Sequence, residues 1–288
     1  MLSVVFSLST VFPFAQYLDV LKNIPDMTWT PAIPAHLEGK TVEELKAMLM
    51  HTQKLTKNVE RVRYVGAAPA SWDWTVQNAA CVAHIRDQAQ CGSCWAFSAV
   101  AAFSDRRCIN KKDAAYVQYS EEVVVACDTG NFGCDGGYLD LVWVFLTNTG
   151  TATDKCAPYT SGTGVTGTCP TKCKDGSAIT HTKATGYANV ATSVDSIMNA
   201  LVEGPLTTGF DVYYDFVLYS SGIYKHTWGP NMGGHAVEFV GYGTENGVAF
   251  WKVKNSWGAA WGENGYFRIV KGTDDCGIED EVYAGAVY

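Results

Sequence analysis

The chain lacks several things that would each have pointed to a function. Over its 288 residues there is no long run of Lys and Arg, and the net charge is −8, so the basic surface that nucleic-acid binders carry is missing. No apolar stretch is long enough to span a bilayer; the longest, Leu2–Phe14, falls well short of about 20 residues. There is no Asn-x-Ser/Thr sequon, which leaves sorting through N-glycans unsupported. Internal repeats and low-complexity tracts are also missing. Cysteine is absent between Tyr17 and Ala67, yet the chain holds ten of them, all beyond that point.

That uneven cysteine distribution marks a boundary. Ten cysteines imply a disulfide-permissive compartment, and the apolar start fits export, so residues 1–15 are expected to form a secretory signal peptide. Charge shifts at the same place: residues 1–68 carry seven Lys/Arg and six Asp/Glu, against 14 and 23 in the rest. A near-neutral segment beside an acidic body suits a masking propeptide, expected over 16–67, with a mature domain over 68–288. Within the segment, Thr41-Val42-Glu43-Glu44 offers a capping box. Leu45, Met48 and Leu49 follow at helical spacing, so one short helix is expected there. Lys54–Arg63 reads as an exposed linker open to proteolysis.

The body changes character along its length. Residues 90 to about 150 look helical. Residues 205–288 are rich in Gly, Tyr, Val and Trp, and Phe250–Lys254 and Gly265–Val270 have the composition of strands. A helical half followed by a β half predicts an α+β protein with two lobes.

The most informative stretch is Gln88-Ala89-Gln90-Cys91-Gly92-Ser93-Cys94-Trp95-Ala96-Phe97. From Cys94 to Phe103 the side chains are apolar almost all round, as in a helix buried within a lobe. Cys94 would open that helix, where unpaired N–H groups and the dipole favour a thiolate. Other readings compete: Cys94 as half of a disulfide, Cys91-x-x-Cys94 as a redox dithiol, and Cys169 with Cys173 as part of a zinc site. The dithiol reading wants a βαβ unit around Cys91, which is not legible, and the zinc reading wants a second ligand pair.

Cys91-Gly92-Ser93-Cys94-Trp95, with Gly233-Gly234-His235-Ala236-Val237 and Lys254-Asn255-Ser256-Trp257-Gly258 further on, closely resembles the papain family of cysteine proteases. His235 lies 141 residues after Cys94 and Asn255 a further 20, in family order. The resemblance implies a papain-like two-lobe fold, a helical lobe over about 85–180 and a β-barrel-like lobe over about 181–288, with a cleft between them. It also implies Cys94 as nucleophile, His235 as its base, Asn255 as the residue orienting the imidazole, and Gln88 as an oxyanion donor. Trp257 would cover the Asn255–His235 bond. The remaining histidines, His36, His51, His84, His181 and His226, read as structural or surface residues. Ala89 stands where the family has Gly, tolerable unless φ there is positive.

Details across the body point to the cathepsin B branch: Arg86-Asp87-Gln88, Ser104-Asp105-Arg106-Arg107-Cys108, Cys156-Ala157-Pro158-Tyr159 and Cys276-Gly277-Ile278-Glu279. From the resemblance come the disulfides Cys81–Cys108, Cys91–Cys134, Cys127–Cys169 and Cys156–Cys173, leaving Cys94 and Cys276 outside them. Gly136 and Gly137 correspond to the turn that pairs with substrate backbone. Tyr138, Ala236 and Glu281 correspond to the pocket for the second residue before the cut, where an acidic base would accept Arg. Cathepsin B has a long occluding loop with paired His. Here only Ala157–Thr168, without His, separate Cys156 from Cys169, so an open cleft and endopeptidase activity are expected. No cofactor or metal is called for. Expected partners are polypeptide substrates, the chain's own propeptide as inhibitor, and cystatin-type inhibitors; a monomer is expected. The expected location is the secretory pathway, ending in a lysosome-like or endocytic vesicle or outside the cell. A non-catalytic papain-fold binding protein is the competing reading.

Overall fold

The computed structural model describes residues 11–49 and 60–287. Most of the stretch expected as a signal peptide, and the start of the expected linker at Lys54, lie outside the described residues.

The first part is an arm laid across the body. Helix α1 (Phe14–Lys22) precedes a short strand, β1 (Trp29–Pro31), and a five-residue helix, α2 (Val42–Lys46). The capping box forms at α2: Thr41 Oγ1 accepts from the Glu44 N–H at 3.1 Å, and the Glu44 carboxylate accepts from the Thr41 N–H at 2.7 Å. Leu45, Met48 and Leu49, which share one face of this turn, are all buried against the body. Phe12 and Phe14 are buried as well, and Phe12 and Tyr17 pack against Tyr214, with Tyr17 also against Trp228.

The helical lobe is built on α5 (Cys94–Ile109), which is buried over most of its length. Around it sit α6 (Glu121–Cys127) and α7 (Leu139–Asn148), approached through β2 (Trp72–Asp73), α3 (Trp74–Gln77) and α4 (Ala79–Val82). The second lobe contains β3 (Gly186–Asn189), α8 (Val194–Val202), β4 (Leu206–Tyr213), β5 (Tyr219–Tyr224), β6 (Asn231–Glu245), β7 (Val248–Lys254), β8 (Tyr266–Val270) and β9 (Val282–Ala286). The sheet runs β1-β5-β8-β7-β6-β4-β9-β3, with β2 paired to β6 off that path. The architecture is the expected α+β with two lobes, with one correction. The sheet is an open path and not a barrel, because its two ends, β1 and β3, do not pair with each other. The arm supplies one end as β1, antiparallel to β5.

Four disulfides stitch the body: Cys81–Cys108, Cys91–Cys134, Cys127–Cys169 and Cys156–Cys173. The first joins α4 to α5. The second ties the approach to α5 onto the glycine turn at 133–137, and the other two pin the long loop after α7, one of them to the end of α6.

The lobes meet across apolar side chains and across buried charge. Lys254, at the end of β7, bridges Asp105 of α5 at 2.6 Å and Glu238 of β6 at 2.8 Å. All three are nearly inaccessible. Burial raises the pKa of both carboxyls, and the neighbouring Asp105 carboxylate pushes Glu238 well above the usual carboxylate range, so the shared Lys254 ammonium is what holds the pair in place. Next to it, the Arg106 guanidinium donates to the carbonyls of Pro205, Gly204 and Gly285, fixing α5 to the second lobe from its other flank.

Candidate active site

Cys94 is the first residue of α5 and is fully buried. It belongs to no disulfide, and Cys91 bonds to Cys134, which removes the dithiol reading. Cys169 and Cys173 are likewise consumed in disulfides, which removes the zinc reading. Gly92, two residues before Cys94, has no room for a side chain: a Cβ there would press on the Cys134 carbonyl and come 2.8 Å from the Leu49 carbonyl. The arm therefore passes directly over the entry to the nucleophile.

His235 lies on β6, opposite Phe210 of β4. Its Nε2 is 2.7 Å from Asn255 Oδ1, and the Trp257 ring covers it with centroids 4.7 Å apart. Among the described residues the buried Nδ1 has no hydrogen-bond partner. Asn255 Oδ1 also accepts the Ser256 N–H at 2.8 Å, so the oxygen is aimed from both sides and the Nε2 proton is held on the Asn255 face. The first turn of α5 (Phe97, Ser98) and the His235 and Asn255 strands (Ala236, Val237, Glu238, Lys254, Asn255) line one cavity of ≈ 20 Å³, so the start of the Cys94 helix packs alongside the strand of His235. Burial lowers the His235 pKa to about 4, opposed by the Asn255 bond, so in this arrangement the ring is neutral.

Gln88 is buried, its Oε1 accepting from Ser256 Oγ at 2.6 Å. The amide it points outward is occupied: Nε2 donates to the Met48 carbonyl at 2.8 Å and to the Cys91 carbonyl at 2.9 Å. Beyond this contact, Leu37, Leu45, Met48 and Leu49 of the arm pack on Val212, Val217, Met232 and Trp257. Ala89 has φ +52°, the left-handed region, held by the Asp87 carboxylate accepting its N–H at 2.8 Å. The methyl group carries a cost there of about 1 kcal/mol, so the departure from Gly is accommodated under strain.

The glycine turn is shaped by conformation and by space. Gly136 has φ +114°, and a Cβ on Gly137 would come 2.6 Å from the Trp95 ring. Tyr138 follows, its N–H bound to Asn131 Oδ1 at 2.7 Å. Ala236 pairs in register with Gly209, and Leu139 stands 3.5 Å from where a Gly209 Cβ would be. Glu281 accepts from the Tyr283 hydroxyl at 3.1 Å, while its carbonyl takes the Thr208 hydroxyl at 3.2 Å. Leu139, Gly209, Thr208 and Tyr283 did not stand out in the sequence. Strand pairing alone places Gly209 beside Ala236, and the Tyr283–Glu281 contact emerges only from the structure.

The segment after Cys156 is short and sewn down. The Glu122 carboxylate accepts from the Thr160 and Ser161 N–H groups at 2.8 and 3.0 Å, and the Tyr159 hydroxyl donates to the Gln88 carbonyl at 2.9 Å. The other thiol, Cys276, is part-buried beside Asp275. Burial and the surrounding carboxylates raise its pKa, which makes it a poor nucleophile.

Residues 68–286 match the family model for papain family cysteine protease. The chain belongs to the papain family of cysteine proteases. It is cathepsin B-like within that family. It is 50% identical over 265 residues to cathepsin B-like CP3 of Giardia intestinalis, with 89% of each chain covered. It is 37% identical over 303 residues to cathepsin B-like cysteine proteinase 4 of Caenorhabditis elegans, covering 91% of this chain and 89% of that one. Among solved structures, procathepsin B S9 from Trypanosoma congolense superposes with a TM-score of 0.88 at 27% identity, covering 94% of this chain and 97% of the other. The recombinant stem bromelain precursor gives 0.78 at 30% identity, covering 95% and 88%.

Proposed function

We propose that this papain-family protease is made as an inactive precursor and, once opened, works as a cysteine endopeptidase. Residues 1–15 serve as the signal, 16–67 as the propeptide, and 68–288 as the mature enzyme, in the secretory pathway with a vesicle or the cell exterior as destination. The Cys94 sulfur attacks the scissile carbonyl carbon as a thiolate paired with the His235 imidazolium. Gln88 Nε2 and the Cys94 N–H hold the oxygen as it becomes negative. His235 then passes its proton to the leaving amine nitrogen, giving a thioester, and as a neutral base takes a proton from the water that hydrolyses it. Asn255 keeps the ring oriented throughout. The mature enzyme acts as a monomer, open to cystatin-type inhibitors.

The observation that carries the precursor reading is the Met48 carbonyl on Gln88 Nε2. A backbone carbonyl already occupies the donor that a substrate carbonyl would need, and neighbouring arm residues bury Trp257. The short, pinned stretch after Cys156 supports an open cleft and internal cleavage. Glu281 supports acceptance of Arg in the second pocket. A non-catalytic relative would be expected to lack the nucleophile or its base, and both are present.

A peptidyl epoxide tests this. The intact chain should resist alkylation, the acid-activated chain should be labelled at Cys94 alone, and labelling should abolish cleavage of internally quenched peptides. Labelling of the intact chain at the activated rate would remove the precursor reading, and activity confined to dipeptide release from carboxyl ends would remove the endopeptidase reading.

A further inference from the structure

Residues 60–66 run along the outer edge of β3, the last strand of the sheet. Such an edge offers backbone groups that an extended chain can pair with. Arg61 forms a parallel bridge with Asn189, and the Val62 N–H donates to the Asn189 carbonyl at 2.7 Å. The guanidinium of Arg61 reaches two backbone carbonyls at once, Nη1 to Ala191 at 2.9 Å and Nη2 to Asp280 at 3.2 Å. The Tyr64 N–H donates to Ser196 Oγ at 2.9 Å, and its ring packs on the core of the second lobe. Residues 63–68 and α8 (Asp195, Met198, Asn199) enclose a cavity of ≈ 260 Å³. Val62 and Val65 point outward, 43% and 84% exposed, so they contribute little to recognition.

We propose that this groove is a second peptide-binding site, one that takes an extended segment bearing an arginine followed three residues later by an aromatic side chain. The fork geometry of a guanidinium suits two carbonyls set apart, whereas an ammonium is a single point. The site rests on the reading that the mature chain begins at Ala68: residues 60–67 then depart with the propeptide and leave the edge to matching segments of protein substrates. It adjoins the proposed specificity pocket, since Asp280 immediately precedes Glu281.

The test uses activated enzyme with Cys94 alkylated, so that the cleft is closed, and a fluorescein-labelled peptide spanning Glu60–Ala68. Anisotropy should show saturable binding, weakened about tenfold or more when the peptide carries Arg61→Ala or Arg61→Lys, and severalfold by Ser196→Ala in the protein. Binding indifferent to the arginine, or no saturable binding to a chain whose intact mass begins at Ala68, overturns the proposal. If the intact mass shows residues 60–67 retained, the boundary has failed, and the groove is then tested in the Arg61→Ala chain, whose tethered segment has lost both carbonyl contacts. Saturable binding of the unaltered peptide there supports the site, and its absence there overturns it.

Discussion

Tyr283 and Glu281 sit two residues apart on one face of the chain at β9, and the phenol donates to the carboxylate at 3.1 Å. A hydrogen bond to an ionised group contributes more than one between neutral groups, and here it holds the acid in one orientation. Glu281→Gln should lower kcat/KM for substrates with Arg at the second position before the cut by roughly tenfold, leaving Leu substrates unchanged. Tyr283→Phe should lower the same ratio by a smaller factor. Steady-state kinetics on matched Arg and Leu substrates separates the two ideas: an unmoved ratio in the first variant defeats the acidic pocket, and one that moves only in the first defeats the role of Tyr283. At this scale the sequence was informative where a residue's chemistry is unusual for its surroundings. Cys94 at a helix start and His235 among small residues stood out, and the structure places His235 on Asn255 and Gln88 beside the entry to Cys94. Tyr283 and Gly209 did not stand out, because a tyrosine and a glycine in strand-rich sequence carry no mark until register fixes their neighbours.

Among the elements, α5, β6 and β7 must keep the sulfur, the imidazole and the amide in register, and Lys254 is where the three meet. Its contacts with Asp105 and Glu238 lie out of water. Lys254→Met would leave the Asp105 carboxylate buried without its counter-charge, a loss of about 3–5 kcal/mol. Urea unfolding should report it. Asp105→Asn combined with Lys254→Met should recover much of that loss, because no bare charge then remains; a double variant no more stable than the single one would contradict the account. The sequence pattern reveals α5 through its apolar run and the strands Phe250–Lys254 and Gly265–Val270 through their β-branched and aromatic content. It is silent on the charge cluster, whose members are 105, 238 and 254 and meet only when the lobes close. The open sheet was equally hidden, since one of its ends, β1, comes from the arm.

For the molecule as a whole, the proposed precursor reading predicts that latency depends on pH. In the closed form burial lowers His235 from an ordinary value of 6.5 to about 4, so the closed form refuses a proton that an opened, hydrated site accepts. Where no thiolate faces the ring, as in a Cys94→Ser chain, it is neutral in both forms above about 6.5 and costs nothing. As pH falls from there towards 4 only the open form gains the proton, and the closed form loses up to ~3 kcal/mol relative to it. In a Cys94→Ser chain, which cannot cleave itself, amide exchange at residues 42–49, corrected for its intrinsic pH dependence, should therefore rise across that window. Adding His235→Gln should flatten the rise. An equal rise in both chains would assign the loosening to other groups.

On the proposed mechanism, the Met48 carbonyl that Gln88 Nε2 holds and the oxygen of a reacting peptide would compete for the same amide. Shutting the enzyme off and driving its reaction would then draw on one atom, and the two properties could not be tuned apart at that position. A shorter side chain there would yield a precursor that leaks and an enzyme that is slow, so any change that sharpens one property without the other must come from the arm.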